Sequence, residues 1–163
     1  MKETKIYNVI FPLWLIILYP LNLLFVIPAN YLIDYLVLSL GAKHLMIYDY
    51  KGVAKKVIIK TWIFGFIADI MGGVIMMLSN FLTHFKLYDF VNAVMYNPFK
   101  RIDALLFVIL VVIITAFIIY FLNLNYSFKD LDLPLVQKQK LALYLAIFTA
   151  PYLFLLPTMW FVR

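Results

Sequence analysis

Two aspartates stand out by position. Of the eight acidic residues, only Asp34 and Asp69 lie well inside long apolar stretches; Glu3, Asp49, Asp89, Asp103, Asp130 and Asp132 belong to termini, loops or helix ends. An ionisable side chain in hydrocarbon costs about 2.5–3.5 kcal/mol on insertion scales, so it is expected to face a protein interior beside a partner. Such groups commonly mark a route for ions or substrate. Asn22, Asn30 and Asn80 are the neutral polar residues expected at a similar depth to Asp34, and Lys43 and His44 are the bases expected within reach of Asp69. Gly65, Asp69 and Gly73 recur at i, i+4 and i+8, so the carboxylate is flanked by residues that let another helix approach closely. The alternative role for both carboxylates is to fix helix packing, through interhelical hydrogen bonds that average only about 0.6 kcal/mol.

Other chemistries find little support. The chain has no cysteine, which removes disulfides, thiolate nucleophiles and cysteine metal sites. His44 and His84 are expected at opposite membrane faces, so they cannot share a metal or a haem. A carboxylate metal site would need Asp34 and Asp69 together, whereas the expected spans place them about 9 Å apart in depth. No GxSxG, HExxH or P-loop occurs. Neither Ser39 nor Ser79 has a histidine at its depth to act as base. An enzyme is therefore not expected, and neither is a metal or cofactor.

The elements that hold the aspartates follow from composition. The 163 residues are 66% hydrophobic and only 13% charged, whereas a soluble domain is about a quarter charged. This excludes a soluble globular or disordered chain and predicts an all-α integral membrane protein forming a single transmembrane domain over 1–163. A spanning helix needs about 20 apolar residues. The first apolar stretch, 8–42, would be about 52 Å long as one helix, too long for a single crossing. Ile27-Pro28-Ala29-Asn30 offers a proline where a new helix could begin. The expected spans are 8–26, 28–48, 61–82, 103–124 and 141–162. Basic residues then divide ten to four between the two faces, favouring a cytoplasmic N-terminus and an outer C-terminus. With no A-x-A-like site after the basic start, the first span is expected to stay as a signal anchor. The fourth span has Thr115 as its only polar side chain between 104 and 119 and is expected to be the outermost, most lipid-exposed helix. The fifth carries Thr149, Pro151 and Pro157 and is expected to be kinked.

The loops carry the remaining charge. The net charge is +6, and in the inner loop 49–60 a helix would place Lys55, Lys56 and Lys60 on one side, with Ala54, Val57 and Ile58 on the other. Together with Lys51 these are expected to contact anionic headgroups on the cytoplasmic side, each contributing about 1 kcal/mol. The basic residues are too few and too close to the membrane for nucleic acid. The outer segment 84–97 alternates at helical spacing, with Leu87, Phe90, Val91, Val94 and Met95 on one face and Lys86, Asp89, Asn92 and Ala93 on the other. A short interfacial helix ended by Asn97-Pro98 is expected there. In the fourth loop, Phe121-Leu-Asn-Leu-Asn-Tyr-Ser-Phe-Lys129 resembles the Asn-x-x-aromatic-x-Phe-Lys stretch of the GtrA-like family, small membrane proteins linked to movement of lipid-linked sugars. The likeness covers about nine residues; in that family the stretch lies midway in four spans, whereas here it precedes the last span.

Two functions fit these features. The first is a small transporter or channel component, with Asp34 and Asp69 lining a polar route. Five thin helices enclose little volume, so it carries the expectation of a homo-oligomer or larger membrane complex. The second is a non-catalytic accessory, scaffold or immunity-type protein that contacts a partner through its surface or the 84–97 segment. Lysine outnumbers arginine 12 to 2, a compositional hint of an AT-rich bacterial genome, and the expected location is a bacterial inner or plasma membrane.

Overall fold

The computed structural model describes residues 20–157, and of residues 20–23 only the helical backbone. Among the described residues the chain is helices joined by turns and short loops, with no strand. Three helical stretches are long and apolar enough to cross a membrane: Leu24–His44, Tyr50–Phe85 and Ile102–Ser127.

The first correction concerns Pro28. The helix α1 runs from Pro20 to His44 with Pro28 inside it, so the turn expected at 27–28 is absent. A proline removes one backbone hydrogen bond, but within a packed apolar bundle neighbouring groups can satisfy the freed backbone. Beside this proline the Trp62 indole N–H donates to the Ile27 carbonyl at 3.3 Å. The separate spans 8–26 and 28–48 are thereby lost as drawn, and most of the former lies outside the described residues. Asn22 and Asp34, expected level with each other across a hairpin, instead sit on one helix about 18 Å apart in rise.

The helix stops where its backbone can close on itself. Ile47 N–H donates to Ala42 O and Met46 N–H to Lys43 O, with Met46 in the left-handed region at φ 57°. This is the Schellman arrangement, in which glycine is usual at the left-handed position. Asp49 then caps α2 (Tyr50–Leu78), its carboxylate accepting from Gly52 N–H at 3.0 Å. At 29 residues α2 is about 44 Å long, so the lysine-bearing turns and the third span form one helix that outruns the hydrocarbon thickness. Ala54, Val57 and Ile58 are buried while Lys55, Lys56, Ile59 and Lys60 are exposed, the division expected from the sequence.

Beyond α2 the chain tightens into a 3-10 segment, Ser79–Phe85, and turns at Lys86, also left-handed at φ 62°. The short helix α3 (Tyr88–Tyr96) buries Val91, Val94 and Met95 as expected, but also Ala93. Leu87, assigned to the apolar face, is exposed. The buried side chains pack against Met76, Ala104 and Val108, so α3 caps one end of the bundle. The Asn97 side chain accepts from Phe99 N–H, and Pro98 opens a 3-10 turn, Pro98–Lys100.

Helix α4 (Ile102–Leu122) overturns a second expectation. Of the three candidate spans it is the most buried, not the most exposed. Ala104, Val108, Val111, Thr115 and Ile119 form one helical stripe that is buried, while Leu106, Ile113 and Phe117 on the other side are exposed. Hydropathy cannot separate lipid from protein contact, because both are apolar. Helix α5 (Leu135–Phe148) follows and ends far short of the expected 162. It gives way at Thr149–Pro151 to a four-residue 3-10 turn, Tyr152–Leu155. At 14 residues, or about 21 Å, α5 does not cross the hydrocarbon by itself. The expected fifth span is thus broken within the described residues, and its final residues lie outside them.

Both basic loops lie at the same end. Lys60 pairs with Asp130 at 3.2 Å, and Lys56 donates to the Asp130 carbonyl at 3.1 Å, joining the start of α2 to the loop before α5. Packing is tight at Gly72, where an added Cβ would collide with Thr115 Oγ1 and come within 2.8 Å of Phe154.

Two outcomes test this packing. Met46→Gly should raise stability by about 1 kcal/mol, because it removes the strain of a side chain at positive φ. Gly72→Val should lower it by about 1–3 kcal/mol through overpacking. Gly65→Ala serves as control, since its methyl would meet Asp34 Oδ2 at an ordinary 3.6 Å. Thermal unfolding in detergent measures all three.

Candidate functional site

The two aspartates, expected about 9 Å apart in depth, line one cavity. It has a volume of about 410 Å³ and lies between α1, α2 and the broken end of α5. Helix α1 contributes Asn30, Ile33 and Asp34. Helix α2 contributes Trp62, Gly65, Phe66, Asp69 and Gly73. The third wall is the chain from Phe148 to Phe154, followed by Leu156.

Local structure explains each placement. The Asp34 carboxylate lies beside Gly65 of α2, with Oδ2 3.6 Å from where a Cβ would stand. Asp69 is one turn further along the same face. The i, i+4, i+8 run of Gly65, Asp69 and Gly73 therefore forms the cavity wall. A second small-residue stripe, Ala68 and Gly72, turns towards α4 and the Phe154 segment.

The surroundings of the carboxylates are unusual. Asp34 is only 6% exposed, yet it accepts no hydrogen bond and forms no ion pair among the described residues. Asp69 Oδ1 is likewise buried without a hydrogen-bond partner. No lysine, arginine or histidine is among the described residues that line the cavity. The pairing expected for Asp69 is absent: Lys43 and His44 are exposed at the basic end, and His44 packs edge-on against Tyr144 at 6.1 Å. The long helix α1 carries them past the depth of Asp69.

Of the other candidates, Asn30 lines the cavity with the carboxylates. Asn80 does not; it is exposed and its amide donates to Met77 O on its own helix. The side chain of Asn22 lies outside the described residues. Lys51, Lys55, Lys56 and Lys60 are all exposed at the basic end, with Lys56 and Lys60 engaged by Asp130 and Lys51 over the Tyr50 ring.

The sequence pointed to no aromatic or backbone wall. Trp62 and Phe66 meet edge-to-face at 5.4 Å, and Tyr31 approaches Trp62 at 6.2 Å. Trp62 itself lines the cavity. The broken helix had a visible signal in Thr149-Ala150-Pro151: Thr149 N–H and hydroxyl both turn back to Leu145 O, and Pro151 cannot donate. The Tyr152 hydroxyl donates to Ile147 O, satisfying another carbonyl at the end of α5.

The residues resembling the GtrA-like stretch build a structural joint. Asn123–Ser127 is a π turn continuing α4. Buried Asn123 donates to Ile119 O and accepts from the Ser127 hydroxyl at 2.8 Å. Phe128, fully buried, closes the turn by donating its N–H to Asn123 O.

A carboxylate buried without a partner should cost the fold stability. Asp34→Asn should therefore leave the melting temperature unchanged or raise it, by up to about 3 kcal/mol of stability. Differential scanning fluorimetry in detergent checks this. A loss of similar size would assign Asp34 to helix packing. No family model, curated protein or solved structure matches the chain.

Proposed function

We propose that this chain is a small transporter or channel component that moves a cation or proton through the cavity holding Asp34 and Asp69. The observation that supports this most is the Asp34 carboxylate, almost fully buried and unpartnered among the described residues, beside Asp69 in a cavity whose described lining has no base. Two carboxylates at membrane depth need positive charge, and the described side chains around them supply none. The end of α5 adds to the negative field. Its C-terminus carries roughly half a negative charge and meets the cavity at Phe148 and Thr149. Interrupted helices whose C-terminal ends and unwound carbonyls face a membrane cavity are suited to cations.

The lysine-rich end is assigned to the cytoplasm. Lys43, Lys51, Lys55, Lys56, Lys60, Lys129, Lys138 and Lys140 belong to that end, against Lys86, Lys100 and Arg101 at the other. This asymmetry supports a bacterial cell-membrane location with the basic turns of α2 against anionic headgroups. The cavity lies within one copy, so the proposed route does not depend on a homo-oligomer or larger complex. The accessory-protein alternative draws less support, because Val91, Val94 and Met95 of the 84–97 segment are covered by the bundle.

Reconstitution into liposomes tests the route. With a potassium diffusion potential imposed by valinomycin, proton uptake is followed by quenching of an acridine dye, in sodium-free and sodium-containing buffers. The wild-type protein should carry proton or sodium flux several-fold above protein-free vesicles. Asp34→Asn and Asp69→Asn should return it to the protein-free rate while eluting as folded protein. Flux that is absent from wild type, or indifferent to both substitutions, rejects the proposal.

A further inference from the structure

The size and lining of the cavity say more about its occupant than its charge does. A bare inorganic cation is held by a tight shell of oxygens, about six to eight for calcium, and needs only a few tens of Å³. Here the volume is about 410 Å³, within the range of about 300–1,000 Å³ that takes drug-sized molecules. Few of the described side chains at the cavity offer oxygen. Asp34, Asp69 and Asn30 do, whereas the Thr149 and Tyr152 hydroxyls donate to carbonyls at the end of α5. The rest of the described wall is apolar or aromatic.

From this we infer that the cavity binds a lipophilic organic cation, a positive centre carried on a bulky apolar or aromatic body. This rests on the transport proposal and names its substrate class. It draws also on Asp34, more than nine-tenths buried, facing the cavity and unpartnered among the described residues. The positive centre takes the place between Asp34 and Asp69. The apolar body lies against Trp62, Phe66 and Phe148, whose ring faces attract cations as well as apolar groups. Exposed Ile33, Ile70, Val74 and Met77 line the same cavity, giving an apolar approach for a ligand that already partitions into the bilayer. Anions and neutral sugars fit poorly: the former meet two carboxylates, and the latter meet too few hydrogen-bonding groups.

Equilibrium dialysis of radiolabelled tetraphenylphosphonium against the full chain in a non-ionic detergent tests this. Saturable binding at one site is expected. Asp34→Asn and Asp69→Asn should each weaken it by at least about tenfold, equivalent to about 1.4 kcal/mol. Trp62→Leu, which keeps both carboxylates, should weaken it by a smaller factor. Neutral triphenylphosphine oxide should not compete; neither should choline, which has the charge without the bulk, nor sodium. Wild-type binding that is non-saturable overturns the inference, as does displacement by sodium or choline at equal concentration. Undiminished binding by folded Asp34→Asn and Asp69→Asn protein does the same. The two proposals separate cleanly. Proton or sodium flux without tetraphenylphosphonium binding rejects the ligand class and keeps the route; carboxylate-dependent binding without flux keeps the ligand class and rejects transport.

Discussion

A carboxylate has no hydrogen to give, and the structure around the cavity follows from that. Neutral polar side chains in an apolar helix can satisfy themselves by donating to a carbonyl one turn back. Ser79, Thr115, Asn123, Asn125 and Thr149 all do so. Aspartate cannot, because every carbonyl on its own helix is also an acceptor. Asp34 and Asp69 must therefore look outward from their helices, and they do so into a shared space. The back-bonded residues are consistent with a structural role, whereas the two acids are left facing the cavity.

Three features of the fold make that space. Asp34 of α1 lies beside Gly65 of α2 and faces the space between the two helices. Gly72 allows Phe154 to come close on the neighbouring face, anchoring the segment after α5. The break at Thr149–Pro151 then turns the chain along the cavity as backbone and short side chains rather than as another helical cylinder. An uninterrupted α5 would present a continuous row of helical side chains instead.

Much of this was legible in the sequence, for physical reasons that also mark its limits. Low charge and long apolar runs announced the helical membrane class, because hydrocarbon admits few charges. The lysine face of α2 was readable from helical spacing alone. Asp34, Asp69 and Asn30, which line the cavity, stood out in the sequence, since polarity inside an apolar run needs little context. What failed was whatever depends on a neighbour. Pro28 reads as a helix start when judged by its own missing N–H, yet the helix continues, with the Trp62 indole supporting the backbone beside it. The buried stripe of α4 holds mostly smaller side chains, Ala104, Val108, Val111 and Thr115, and its exposed face larger ones such as Leu106, Ile113 and Phe117, a difference of size that hydropathy does not register. Placing a turn at Pro28 put Asp34 at the wrong depth, and from that error followed the wrong companions for it.

The depth error is instructive about pairing. Lys43 and His44 looked like natural partners for Asp69 because the expected spans put them, at the inner end of the neighbouring helix, within its reach. Their positions in the last turn of α1 offer them something else: the helix C-terminus, where positive charge is favoured, and water beyond it. A base at a helix end gains both, and a long side chain near the membrane surface reaches solvent at little cost. An acid at midspan has neither. On α1, Asp34 and the two bases therefore separate although they attract, and among the described residues no base lines the cavity beside Asp34 and Asp69.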